Sequence, residues 1–313
     1  MMGTAKMMKL DAFMCFVCTY EVPMYDFDAA PEDPPAEWSD EEHAAKTLDD
    51  LINTVRANLN VRTDMSNLIE WPRAQYWEKC WNPWIGCEPC SPACENCYAA
   101  ALARRFKMKF VPHRTKQRIP TKGVVFCGNM TDLFGDWIDW RECYRILSGQ
   151  FDCSKGVSCT RRRATYLWLT KRVVNMCKAI RHCYGWAYDG YFGFTAENQE
   201  KYDERIKDFR HIFPDGQFHG WLSAEPLLGP IDLRLGYVAP EDIPFEWVVV
   251  GCESGPNRRP CSKKWVRQIV QQCRALGIKV FVKQLDIDGK CVTDINKFPE
   301  DLRIRQVPWR VEE

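Results

Sequence analysis

Residues 246–255 read EWVVVGCESG. The apolar run Trp247–Val250 is too short for a buried helix and rich in β-branched residues, so it reads as a strand covered on both faces. Polar residues come at once after it, Glu253 and Ser254. The same phrase recurs along the chain: GVVFCGNMTDLF (123–134), TYLWLTKR (165–172), YFGFTAEN (191–198), HGWLSAEPLLG (219–229) and KVFVKQL (279–285). Helix-forming stretches separate several of these runs. The clearest is SKKWVRQIVQQCRALG (262–277), where Trp265, Ile269, Val270 and Cys273 share a face and Gly277 provides a stop. One further strand leads into residues 80–105, giving about six or seven parallel strands. The implied fold class is α/β, a full or partial (β/α) TIM-type barrel.

In such a barrel the carboxyl ends of all strands share one rim. The residues that end the runs therefore converge on one mouth: Asn129, Thr131 and Asp132; Thr170, Lys171 and Arg172; Thr195, Glu197 and Asn198; Ser223 and Glu225; Glu253 and Ser254; Lys283 and Gln284. Lys171 and Lys283 have the charge to hold a carboxylate or phosphate. Glu197, Glu225 and Glu253 suit ribose hydroxyls, an amine, or those lysines. Lys171, Glu225, Glu253 and Lys283 are the candidate catalytic residues.

Chemistry concentrates in CWNPWIGCEPCSPACENCYAAALARR (80–105), where Cys87, Cys90, Cys94 and Cys97 fall within eleven residues. Crowded thiolates repel and oxidise, so this density implies a metal or an iron-sulfur cluster. Structural zinc needs its two cysteine knuckles a dozen or more residues apart, and three residues separate them here. The helix former after Cys97 puts a helix N-terminus beside the thiols, which favours thiolate.

The 313-residue chain is 46% hydrophobic and carries a formal charge of +1, from 43 basic and 42 acidic side chains. That balance gives no global attraction to nucleic acid or membrane. No run of about 18 apolar residues suggests a membrane span, and the N-terminus lacks a signal-peptide pattern. Seventeen cysteines in a reducing cytosol then read as ligands where clustered. Scattered ones such as Cys127, Cys143, Cys177, Cys183 and Cys273 read as small buried hydrophobes. Residues 1–75 form an N-terminal extension: an isolated CxxC (Cys15, Cys18), an acidic proline-rich segment, and an amphipathic helix opened by the capping box at Ser39. The barrel domain occupies 76–313. The tract Arg161, Arg162 and Arg163, with Lys171 and Arg172 nearby, reads as a solvated loop, with contact to nucleic-acid phosphate as the alternative.

Cys90-x3-Cys94-x2-Cys97 has the spacing of the radical S-adenosylmethionine (radical SAM) superfamily. Over Trp77 to Pro308 the chain resembles a phage-associated family of radical SAM-like proteins of unknown function, through WNPWIGC, SPACENCYA, NMTDLF, LTKR, TAENQ, LSAEPLLGPIDL, WVVVGCESGPNRRP, FVKQ and FPEDLR. More distantly the loop is similar to that of the spore photoproduct lyase branch. The first resemblance carries over Cys87, Cys94 and Cys97 as the ligands of a 4Fe-4S cluster. The superfamily spacing puts Cys90 in place of Cys87 as the alternative ligand. The resemblance further implies S-adenosylmethionine as cofactor, held by Gly128, Asn129, Thr131 and Asp132, with Glu197 and Asn198 on the same rim and Tyr98 toward the adenine. It implies a reductase or flavodoxin-type electron donor, a small-molecule or nucleic-acid substrate, and a bacterial host cytoplasm. A non-catalytic zinc- or cluster-binding phage module is the competing expectation.

Overall fold

The computed structural model describes residues 69–309 apart from 149–162, 182–189, 212–218, 235–242 and 256. The chain divides into Met1–Leu48 and Asp49–Glu313, and the second unit contains all of the described residues. The Cys15/Cys18 pair, the helix expected after Ser39, Cys183 and the residues Arg161 and Arg162 lie outside the described residues.

The order of elements is β1 (Ile69–Glu70), β2 (Lys79–Trp81), β3 (Trp84–Ile85), α1 (Tyr98–Arg105), β4 (His113–Arg114), β5 (Lys122–Cys127), α2 (Trp140–Ser148), β6 (Arg163–Thr170), α3 (Val173–Arg181), β7 (Gly190–Thr195), α4 (Gln199–Phe209), β8 (His219–Ala224), β9 (Trp247–Gly251), α5 (Lys263–Ala275), β10 (Lys279–Ile287), β11 (Lys290–Val292) and β12 (Gln306–Val307). One eight-stranded sheet runs β2–β5–β6–β7–β8–β9–β10–β11. Its first seven strands are parallel, and β11 turns back antiparallel on β10. Every strand expected from the apolar runs is present. Among the described residues no strand joins β2 to β11, so the curled sheet is a half-barrel with two edges.

Period-two alternation sorts the sheet into two faces. Val125, Trp168, Phe194, Leu222, Val250 and Val282 belong to the large core that also takes in side chains of α2 to α5. The alternate residues Phe126, Leu167, Tyr191, Trp221, Trp247 and Phe281 form a second, aromatic core with Trp71, Tyr76, Val307 and Trp309. Tyr76 sits at its centre, with Trp221, Trp247 and Phe281 edge-on at 5.3–5.9 Å between ring centroids. The small ladder between β1 and β12 contributes to this floor, pairing Ile69 with Val307. β1 and Trp71 therefore pack with the strands that follow them.

The helix expected over 262–277 runs Lys263–Ala275, capped by Ser262 and followed by Gly277 at φ +67°. Val266, Ile269, Val270 and Cys273 are its buried residues, while Trp265 is only half-buried. Cys127, Cys143, Cys177 and Cys273 are all buried, as small hydrophobes should be.

Candidate functional site

Alternation along the strands carries Thr195, Ser223, Glu225 and Lys283 to the aromatic side of the sheet, at its carboxyl end. There they line a cavity of about 380 Å³, together with Cys87, Cys90, Cys94 and Cys97. The convergence expected of the strand ends is therefore largely present. Tyr98, Gly128, Asn129, Thr131, Asp132, Lys171 and Glu253 also line it.

Local bonds explain how the cysteine loop is held there. β3 pairs with β4, closing the base of the excursion that contains the thiols and α1. Gly86, at φ +95°, donates its N–H to the Met130 carbonyl (3.0 Å), and its own carbonyl accepts from Thr131 Oγ1 (2.6 Å). A Cβ there would strike the Val111 backbone at 2.2 Å, so only glycine fits. The buried Asn82 side chain donates to Asn129 Oδ1 (2.7 Å) and accepts from the Met130 N–H (3.0 Å). Tyr98 Oη donates to the Asn129 carbonyl (2.5 Å). Most of the polar groups of GNMTDLF are thus spent on docking the loop.

Two arginines clamp the loop at different points along it. Arg172, at the end of β6, donates to the Glu88 carbonyl (3.0 Å). Arg259 donates to the Pro92 carbonyl (3.0 Å) and pairs with Glu95 (3.1 Å), while its guanidinium holds both oxygens of Glu253 (2.6 and 3.1 Å). Asn96 adds a bond from Nδ2 to Glu253 Oε2 (3.0 Å). Burial pushes the Glu253 carboxyl up, but Arg259 and Asn96 outweigh it and hold the group below the ordinary range. Glu253 is therefore a bracket for the loop.

Asp132 is likewise engaged. Its carboxylate accepts from Thr170 Oγ1 (2.8 Å), the Lys171 N–H (3.1 Å) and Arg172 Nη1 (3.4 Å), tying β5 to β6. Glu225 pairs with Lys283 (3.0 Å) and accepts from Tyr76 Oη (3.4 Å); the Lys283 ammonium lies 5.5 and 5.3 Å above the rings of Tyr76 and Trp77. Lys171 forms no ion pair among the described residues. Glu197 and Asn198 do not line the cavity. Glu197 is fully buried against Arg205 (2.8 Å); burial raises its carboxyl, but Arg205, Ser91 and Lys171 hold it below the ordinary range. Asn198 caps α4 by accepting from the Lys201 N–H.

The four thiols differ. Burial next to Asp132 pushes Cys87 up to about 11. A hydrogen bond from Cys90 lowers the Cys94 thiol far below its usual range and raises Cys90 in turn. Among the described residues no three Cys, His, Asp or Glu side chains stand together as a ready metal site. The donor set nonetheless fits an iron-sulfur cluster in kind: soft sulfur ligands on one short loop, lining a cavity that mixes apolar side chains with a few polar groups. Arg172, Arg259 and Asn82 were not singled out as loop anchors from sequence, although WNPW and GPNRRP contain Asn82 and Arg259.

Fold and site together define an α/β protein with a cysteine-walled cavity at the carboxyl edge of a parallel sheet. The chain belongs to the family of proteins of unknown function DUF5131, which matches residues 69–296. No curated protein and no solved structure matches it.

Proposed function

We propose that the cavity holds a 4Fe-4S cluster on Cys87, Cys94 and Cys97, with S-adenosylmethionine beside it, and that the chain is a radical SAM-like enzyme built on a partial TIM-type barrel. The observation that carries this reading is that four thiols and the strand-end polar groups line one cavity. When bound, such a pair supplies one-electron cleavage to methionine and a 5′-deoxyadenosyl radical, which takes a hydrogen atom from substrate.

The residues of this chain have other tasks. Arg172 and Arg259 fix the loop so that its thiols keep their place over the strand ends. Lys171 offers a cation for a carboxylate. Gly128 and Asn129 line the cavity and form part of the surface against which the cofactor would sit. Glu225 and Lys283, paired at the floor, orient substrate or exchange a proton. Tyr76, Trp221, Trp247 and Phe281 exclude water from below. The setting is a bacterial host cytoplasm, with a flavodoxin-type donor or reductase.

Anaerobic reconstitution tests the proposal. Expected are four irons with matching sulfide, 4Fe-4S absorption, and 5′-deoxyadenosine on adding dithionite and S-adenosylmethionine. Stoichiometric zinc without iron or sulfide would sink it in favour of a non-catalytic module. Cys87→Ala should abolish iron binding while Cys90→Ala retains it; the reverse pattern reassigns the first ligand to Cys90.

A further inference from the structure

From Tyr98 to Lys122 the chain carries eight lysines and arginines and no acidic residue, although basic and acidic side chains nearly balance over the whole sequence. The remainder is therefore net negative, and the positive charge is gathered in one place. All eight are exposed. Among the described residues only Arg114 of these forms an ion pair, with Glu142. Arg104, Arg105, Lys107, Lys109, Lys116 and Arg118 are exposed and form no ion pair with a carboxylate among the described residues.

Apolar side chains are exposed amid these cations. Tyr98 (50%), Leu102 (37%) and Phe106 (61%) succeed one another at four-residue spacing on α1 and its C-cap, and Met108 and Val111 continue beyond it. Arg105 already lies over the Phe106 ring at 5.7 Å. Tyr98 and Phe110 also line the cysteine-walled cavity, so the stripe begins at its mouth. Lys107 adds a backbone argument. It holds the left-handed position after α1, at φ +52°, where its N–H bonds the Arg104 carbonyl and the next N–H bonds the Ala103 carbonyl. Glycine is the favoured residue at such a helix end, and a cation stands there instead.

We propose that α1 and the segment after it bind a single-stranded nucleic acid and lead it past the cavity mouth. Cations contact phosphates, and Phe106 and Tyr98 stack on bases, the combination that single-strand binders use. An anionic membrane would also meet charge and apolar groups, but a flat bilayer does not reach into a recessed cavity, whereas a base turned out of a strand does. As the substrate class of that cavity the strand rests on the function proposed above; its binding to the surface does not.

Anisotropy of a labelled single-stranded oligonucleotide with the full-length protein provides the test. Binding should weaken as salt rises from about 50 to about 200 mM, with a slope of about −0.7 per phosphate contact. Removing three contacts in Arg104→Gln/Arg105→Gln/Lys109→Gln should cost about a hundredfold at about 0.1 M salt, since each contact contributes roughly fivefold there. Lys107→Gly should cost about fivefold while relieving the backbone, so misfolding cannot explain its loss. Phe106→Ala should weaken single-strand binding more than duplex binding. No binding at low salt, undiminished binding by the triple variant, or Phe106-dependent binding to phosphatidylserine vesicles in place of the strand would overturn the proposal. Wild-type protein that binds the strand but assembles no cluster on reconstitution refutes only the enzyme reading, and an intact cluster without strand binding refutes only this proposal; Cys94→Ala should lose the cluster and keep the strand.

Discussion

Replacing Arg259 by alanine removes the clamp between the cysteine loop and β9 in one step. Four guanidinium contacts go, of unequal weight. The pair with Glu95 is exposed and contributes at most about 1 kcal/mol. The bonds to Glu253 matter more, because that side chain is only 3% exposed and would lose its counter-charge. Orphaning a buried charge costs about 3–5 kcal/mol. Arg259 itself is 29% exposed, and the Arg259 N–H and Asn96 Nδ2 still reach Glu253 after the change, so the expected loss is smaller, about 2–3 kcal/mol. For a domain of this size that lowers Tm by about 4–12 °C. Urea unfolding at constant m gives the value, and a cycle with Glu253→Gln isolates the pair. Amide exchange across 88–97 should accelerate more than in the sheet. A loss below about 0.5 kcal/mol, or loop exchange unchanged, would refute the reasoning.

Gly128 sits at φ +78°, and a Cβ there would come 2.8 Å from Leu133 Cγ; Gly128→Ala should cost about 1–3 kcal/mol by thermal melting. The buried Glu197 titrates below its unfolded value of about 4.5. The unfolded chain therefore takes up its proton first, so this contribution is complete above about pH 4.5 and lost as pH falls further. Glu197→Gln should flatten that acid limb in pH-dependent unfolding, and an unchanged slope would contradict the assignment.

The parallel strands were legible because an apolar run of four to six residues that breaks straight into polar groups suits a strand buried on both faces and little else. The strand-end convergence was legible for the same reason, and the crowded thiols because four cysteines within eleven residues are too dense for core packing. Charge at a strand end proved a weaker guide to role. Glu225 and Glu253 do line the cavity, but Glu253 is engaged by Arg259. Glu197 is turned inward to Arg205, eight residues on, a partnership fixed only once α4 packs on the sheet. Nor could periodicity reveal β1 and β12: two-residue strands carry no pattern, and their pairing depends on segments from opposite ends of the domain. Arg172 and Arg259 were hidden likewise, since their acceptors include the backbone carbonyls of Glu88 and Pro92, which side-chain chemistry does not announce.

The pairing of Ile69 with Val307 carries a consequence for the order in which the domain is made. More than two hundred residues separate these partners, and closing so long a loop is favourable only after the intervening strands have condensed. During synthesis the parallel strands leave the ribosome one after another and can associate in turn. Trp309 and Val307, which complete the aromatic floor, emerge after all of these strands. A nascent chain stopped before them would present a curled sheet with part of its inner face bare, so Val307 and Trp309 act as the latch of the fold.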